Sequence, residues 1–511
     1  MTNFVLAPAP VLPWNLVFSS FTGQVRTQDN NSYILDGSAS GVPVTIELYG
    51  AGFEEDGEGL FDGVAVLTVL QATAGGQVVG RVDNASITGP LLAAWMQGNG
   101  AAFELAAFPG NDVILLSNAS EFQAAYGGND RADGRGGNDT LLGADGNDTL
   151  LGGDGDDRLE GEAGQDLVVG GAGQDTANGG AGADVFVTGA LRRQVQAGLS
   201  DAGVALSGPE GQDTLAAFER VSFADGVLHF DAAGAAGQVW RLYDAALGRG
   251  ADTFGLTGWV QALDAGAATL GAVANGFLGS AEFDQRYGQL DNAGFVARLY
   301  ANVLDRAPDA AGLESWTARL ASGASRAEVL LGFSESAEHR AATDPAVANG
   351  LWAVDPEAVD VLRAYMTVLD RQPDAGGLAS WTAARNAGLA NAAMTDAFVA
   401  SAEFQTRFGA LSNADFVDRM YLSALDRPAD AEGRANWTSK LDSGAIQRRD
   451  VVQGFAYSDE MTQKLLPLVA DGIAFAGFAA AGVSAPAAPA AGRPPRGRSA
   501  PRPRPRPSVR R

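Results

Sequence analysis

GGNDRADGR-GGNDTLLGA-DGNDTLLGG-DGDDRLEGE-AGQDLVVGG-AGQDTANGG-AGADVF is the run from Gly127 to Phe186, broken here every nine residues. In that phase an aspartate recurs without a miss, at Asp130, Asp139, Asp148, Asp157, Asp166, Asp175 and Asp184. Two residues before each stands a glycine: Gly128, Gly137, Gly146, Gly155, Gly164, Gly173 and Gly182. Two residues after each stands an apolar side chain: Ala132, Leu141, Leu150, Leu159, Val168, Ala177 and Phe186. A further glycine lies five before the aspartate from Gly134 to Gly179, with Ala125 in the first unit. A flexible glycine-rich linker has no reason to hold a nine-residue phase, so the run encodes a stacked repeat.

The residue types indicate the chemistry. Glycine lets the backbone turn tightly and leaves carbonyl oxygens uncovered. One apolar residue per unit suits a short strand whose inward side chains share a thin core. Calcium takes six to eight oxygen ligands at about 2.3–2.6 Å from carboxylates and carbonyls, and each turn offers both. From Gly127 to Gly189 there are thirteen acidic residues against three basic ones, so without cations the stack repels itself. The segment is therefore expected to be disordered without calcium and to fold on binding it.

The run resembles the RTX calcium-binding nonapeptide repeat, whose fold is a parallel β-roll. The resemblance implies that two nonapeptides make one coil and that aspartates 18 apart stack and share ions. Asp130 then aligns with Asp148 and Asp166, and Asp139 with Asp157 and Asp175, on opposite edges. It also implies several calcium ions between stacked turns, held by the seven aspartates and by carbonyls of the turns at Gly128, Gly137, Gly146, Gly155, Gly164, Gly173 and Gly182. Asp112, within Gly110-Asn111-Asp112-Val113-Ile114, lies 18 before Asp130 and is a further candidate; the unit between them has Glu121 where aspartate belongs. Downstream, Gly211-Gln212-Asp213-Thr214-Leu215 repeats the pattern out of phase, and Glu219 to Gly226 resembles the strand that closes such rolls.

A second repeat occupies the carboxyl half. Tyr243, Tyr300, Tyr365 and Tyr421 are each followed 16 residues later by Trp259, Trp316, Trp381 and Trp437. Between them come Arg249, Arg306, Arg371 and Arg427, then Asp252, Asp309, Asp374 and Asp430, then Gly255, Gly312, Gly377 and Gly433. Gly266, Gly323, Gly388 and Gly444 follow the tryptophans, and each unit ends in phenylalanine and Ser-x-Glu. The aspartate reads as an N-cap and the later glycine as a left-handed C-cap. Leu256, Trp259 and Leu263 share one helical face. Each unit is read as three short helices around tyrosine, tryptophan and phenylalanine, with arginine and aspartate forming a structural pair. The phrase Leu-Tyr…Leu-Asp-Arg-x-Pro-Asp-x-x-Gly-Leu…Trp resembles an uncharacterised helical repeat domain common behind RTX rolls, and more faintly the repeats of phycobilisome linker proteins, over about Ala235 to Leu465. The fourth copy departs at Arg434 and Pro428 and is read as a cap.

Composition narrows the function. The 511 residues contain no cysteine and only two histidines, His229 and His339, which rules out disulfides and thiolate metal sites. There is no HExxH helix, G-x-S-x-G elbow or P-loop. A formal charge of −26 argues against nucleic acid as partner. Met1–Gly23 has no basic residue and carries Pro8, Pro10 and Pro13, so it is not read as a Sec-type signal peptide. No stretch reads as a membrane span. The RTX resemblance implies export through type I secretion machinery. Glu54, Glu55, Asp56 and Glu58 form an acidic loop in the amino-terminal region, read as a solvated turn. The tail Ser484–Arg511 holds eight arginines, eight prolines and no acid. It is read as extended, either as read-through sequence or as a basic arm for anionic envelope polymers.

The expected architecture is multidomain β plus α: a β-rich amino-terminal cap over 1–110, a calcium-binding β-roll over 111–189 and its carboxyl cap over 190–234. Helical repeats follow over 235–345 and 346–470, then a disordered Pro/Arg-rich tail over 471–511. The expected function is that of a non-catalytic, calcium-binding secreted or cell-surface protein with a structural, adhesive or matrix role. Its expected partners are calcium, the secretion machinery, and cell-surface polysaccharide or other matrix proteins. Two other readings are an exported hydrolase built on paired carboxylates and a soluble protein-binding scaffold.

Overall fold

A computed structural model of the protein describes residues 110–476 apart from 117, 119, 201 and 202, together with the backbone of strands between Phe21 and Thr88. The acidic loop at Glu54–Glu58 and the basic tail lie outside the described residues.

Each nonapeptide makes one short strand in which the repeated apolar residue faces inward. Leu141, Leu150, Leu159 and Val168 have no exposed surface, and Phe186 closes the row almost as completely. Because the side-chain period of a strand is two, the threonine and leucine flanking Leu150 face out while Leu150 faces in. Strands 18 residues apart pair in parallel: Leu150 lies beside Ala132 and Val168, and Leu141 beside Leu159. Consecutive strands therefore alternate between two faces, and about four coils of β-solenoid run from 113 to 230.

Antiparallel strands continue one face at its amino-terminal end. Gln77–Asp83 pairs with Val113–Leu115, and behind it follow Val64–Ala74, Val42–Ala51, Ser32–Ala39 and Phe21–Asp29. A sheet edge left open at the first coil would invite unwanted pairing, and these strands cover it.

The downstream repeat at Gly211–Leu215 corrects the sequence-based phase. Thr214 pairs with Thr176 and Leu215 with Ala177, as one more coil would require, although they lie 38 residues on instead of 18. The extra chain is a hairpin, Gln196–Ser200 with Gly203–Ser207, laid antiparallel against Gln212–Ala216. Sequence phase is lost there, whereas spatial register is kept.

Sixteen helices follow, four per unit rather than three. The Ser-x-Glu phrase that was read as a unit's end starts a helix of its own: Ser280 caps Ala281–Tyr287 by accepting the Phe283 N–H. In every copy the tyrosine meets the phenylalanine edge-on, with centroids 4.5 to 5.1 Å apart, and the tryptophan leans on the same ring. The glycine after the capping aspartate is obligatory for packing: a methyl at Gly312 would overlap the Tyr300 hydroxyl. Among the described residues, Ala232–Ala346 forms one compact unit, while the roll and the residues from Val347 to Ala476 form another. Among the described residues no helix is long and apolar enough to cross a membrane.

One position in the roll is visibly strained. Four residues before the aspartates the backbone is left-handed whatever the side chain, with φ of 66° at Arg135, 76° at Ala144 and 71° at Glu162, where Gly153, Gly171 and Gly180 stand in other units. A side chain costs about 1–2 kcal/mol in that region, partly offset by glycine's greater freedom in the unfolded chain. Ala144→Gly is therefore expected to stabilise the calcium-loaded roll by about 0.5–1 kcal/mol, read as a higher midpoint in denaturant.

Candidate metal centre

The strands end where the chain turns, and the aspartates stand at those turns in two ladders. On one edge the backbone N–H of Asp112 donates to Oδ1 of Asp130 at 2.7 Å, Asp130 to Asp148 at 2.8 Å, Asp148 to Asp166 at 2.8 Å and Asp166 to Asp184 at 2.8 Å. On the other, Glu121 donates to Asp139 at 2.8 Å, Asp139 to Asp157 at 2.7 Å and Asp157 to Asp175 at 2.9 Å. The detour keeps both ladders going: Asp175 donates to Asp213 at 3.2 Å and Asp184 to Glu219 at 2.6 Å. Asp213 and Glu219 are thus members that the nine-residue phase does not reveal.

Each of the seven nonapeptide aspartates uses one oxygen in its ladder and leaves the other without a partner. Oδ2 of Asp130, Asp139, Asp148, Asp157, Asp166, Asp175 and Asp184 is buried and accepts no hydrogen bond, and at Asp112 both oxygens are in that condition. The residues themselves are at most 2% exposed. A buried acceptor left unmade costs about 1–3 kcal/mol, more for a charged group. A row of such oxygens is the arrangement a bound cation would complete.

The surroundings fit a hard cation. A methyl placed on Gly134 would lie 2.5 Å from both the free Oδ2 of Asp139 and the carbonyl oxygen of Gly152 in the next coil. The same crowding recurs at Gly143, Gly152 and Gly161, so the glycine five before the aspartate keeps carboxylate and carbonyl oxygens facing one space. Among the described residues no three His, Cys, Asp or Glu side chains cluster to hold a metal, so an ion here draws part of its shell from carbonyls. The carbonyl beside the free oxygen belongs to the glycine five before the next aspartate. A methyl placed on Gly146, Gly155 or Gly164 would overlap the carbonyl oxygen of Gly128, Gly137 or Gly146 in the previous coil.

An outer set of ladders runs beside these. The side-chain oxygens of Asn111, Asn129 and Asn147 accept the N–H groups of Asn129, Asn147 and Gln165 at 2.8 Å. Asn138 and Asp156 serve Asp156 and Gln174 at 3.1 and 2.8 Å. Its signal was present in the sequence, as the amide or acid just before each aspartate from Asp130 to Asp175. Of the inner and outer ladders, only the inner, aspartate ones leave buried oxygens free.

Burial dominates the electrostatics. It pushes Asp130, Asp148, Asp175 and Asp213 up to about 6, and Asp112 and Asp139 to about 7. The ladder N–H bonds oppose the rise at all of these but Asp112, while neighbouring carboxylates add to it at most of them. The fold without metal thus favours protons on groups that are ionised in water at neutral pH.

The residues at the helical repeat positions lie elsewhere and do different work. Asp252, Asp309, Asp374 and Asp430 each cap a helix by accepting the N–H of Gly255, Gly312, Gly377 and Gly433 at 2.7–2.9 Å. The paired arginines reach these aspartates only loosely. Their main partner is the glutamate of Ser-x-Glu: Arg249 grips Glu282 at 2.7 and 2.8 Å, Arg371 grips Glu403, and Arg427 grips Glu460. Each arginine also lies over its tyrosine, as Arg249 over Tyr243 at 4.9 Å.

Compared with known protein families, residues 125–159 and 151–186 match the RTX calcium-binding nonapeptide repeat. Residues 238–284, 274–343 and 395–465 match a domain of unknown function, DUF4214. No curated protein matches the chain. The third helical copy lies mostly outside the matched stretches, and it diverges in sequence at positions the other copies share. Arg385 stands where the others have Leu263, Leu320 and Leu441, and Asp360 where the second and fourth have Phe295 and Phe416.

Two measurements address the site. With folded-state values above the unfolded ones, the metal-free roll is most stable below about pH 4 and loses that stability as pH rises through about 6–7. Lowering the pH of calcium-free protein from about 7.5 to about 5 should therefore increase its β-sheet circular dichroism, while raising the calcium needed to reach the folded signal; a metal-free spectrum unchanged over that range would contradict the ladder assignment. Gly152→Ala should destabilise the loaded roll by about 1–3 kcal/mol through overpacking, whereas Gly127→Ala, with nothing nearer than 3.9 Å, should not.

Proposed function

Since the chain carries RTX calcium-binding nonapeptide repeats on a β-solenoid, we propose that it is an exported, non-catalytic protein that calcium folds outside the cell. Its role would be structural or adhesive. The observation that carries this reading is the double row of buried carboxylates with one oxygen free. Such a row resists folding at neutral pH where calcium is scarce, and folds where calcium reaches the ~10⁻⁴–10⁻³ M range of extracellular modules. A chain that stays unfolded until it meets calcium can pass a narrow export channel and then become trapped outside by its own folding.

Support for the non-catalytic part comes from where the other titratable groups are spent. His229 is buried and pushed down to about 4 by burial and by Arg220, so it remains neutral at physiological pH. His339 is 1% exposed and held between the Ser334 carbonyl and Asp244, both at 2.9 Å. The recurring arginines, aspartates and glutamates of the helical units are committed to caps and ion pairs within their own units. An array of this kind offers a repeated surface, which suits attachment to a polymer or a matrix.

Fractionation of producing cells with and without a calcium chelator, followed by immunoblotting, tests the role. The chain is expected in the surface fraction and released by chelation. Recovery only in the cytosol would defeat the export reading, and recovery free in the medium regardless of calcium would defeat the adhesive one.

A further inference from the structure

Asp225 is fully buried in the turn between Arg220–Phe223 and Gly226–His229, yet it belongs to neither ladder. Its Oδ1 accepts the N–H of Arg192 at 2.7 Å, and its Oδ2 accepts the N–H of Ile473 at 2.8 Å. Its backbone carbonyl accepts the N–H of Asp355 at 2.8 Å, and Asp355 caps the helix Pro356–Ala364. One residue thus fastens the start of the roll's detour, the end of the last helical unit and the beginning of the third.

The surrounding contacts repeat that theme. Arg192 reaches Asp471 at 3.0 Å, and Arg193 donates to the carbonyl of Gly472 at 2.8 Å. Strand Leu351–Val354, buried along its whole length, pairs antiparallel with Gly226–His229 and so extends the solenoid's own sheet. Trp352 on that strand donates its indole N–H to the Val469 carbonyl at 3.0 Å and meets Phe223 edge-on at 6.0 Å.

The joint is physically continuous with the calcium edge. Glu219, which accepts the Asp184 N–H, directly precedes the strand Arg220–Phe223 that leads into the turn at Asp225. That strand pairs in parallel with Val185–Val187, the strand following the last ladder aspartate. If the final coil loses its shape, the strand that leads to Asp225 loses its partner. The first helical pair has its own compact unit over Ala232–Ala346.

We propose that this joint makes the stability of the second helical pair, Pro356–Val469, depend on calcium bound in the roll, while the first pair is indifferent to it. The proposal rests on the roll folding with calcium. It assigns two functions to repeats that look alike in sequence: one pair is part of the calcium-responsive body and the other is a constant appendage. The warrant is a contiguous set of hydrogen bonds and a shared strand, a physical network able to carry coupling between the two regions.

Hydrogen exchange with mass spectrometry on the full chain, in excess calcium and after chelation, tests this. Chelation is expected to speed exchange in 113–230 and also in 356–469, the latter by about 5–150-fold, the usual range of coupling between sites. Exchange in 235–346 should not change. Arg193→Ala, and separately Asp225→Asn, which leaves one acceptor oxygen for two N–H donors, should keep the roll's response and shrink that of 356–469. If the roll responds but 356–469 does not, or if 235–346 responds equally, the inference is overturned. An undiminished response of 356–469 in both variants would also overturn it. If the roll itself is indifferent, calcium-dependent folding fails first and the inference falls with it.

Discussion

The structure depends on keeping carboxylates where water cannot reach them. A solenoid of nine-residue units has a core only one side chain thick, and hydrophobic burial by Leu141, Leu150, Leu159 and Val168 is modest for the length of chain ordered. Stacked turns place an aspartate directly above another every 18 residues, and each gives one oxygen to the backbone of the coil before. The second oxygen has no protein donor to satisfy it. The fold therefore remains chemically incomplete until a cation or a proton arrives, and this incompleteness makes its stability conditional on the surroundings.

The helical half solves its stability problem by conventional means. Aspartate caps, left-handed glycines and a tyrosine–phenylalanine–tryptophan cluster recur in every unit, and the arginine–glutamate grip ties each unit's first turn to its last short helix. These interactions require no ion. Carboxylate ladders and helical packing thus occur in one chain, meeting where Leu351–Val354 extends the solenoid's sheet and Asp225 binds three separate segments.

Legibility differed between these parts for physical reasons. The roll was legible because every unit faces the same constraints, so Asp148 and Asp157 repeat for the same cause. The capping aspartates and the helix-ending glycines were legible because capping is local. The fourth helix of each unit was missed because Ser280-Ala281-Glu282 reads equally well as an ending or a beginning. Asp213 and Glu219 were not placed in the ladders because an inserted hairpin shifts them off the nine-residue phase while hydrogen bonding returns them to it in space. The partner of Arg249 was misjudged because Asp252 is near in sequence, whereas Glu282, 33 residues on, is better oriented.

By itself, the sequence determined the solenoid, its calcium chemistry and the four helical units, because each rests on short-range periodicity: nine residues for a turn, three or four for a helix face. Which oxygens remain free, how the roll resumes after its detour, and that the second helical pair shares a sheet with the roll follow from the folded chain alone. Those outcomes depend on contacts between residues far apart in the chain, such as Asp225 with Ile473 and Leu228 with Trp352. Such contacts leave no period in the sequence, since each occurs once.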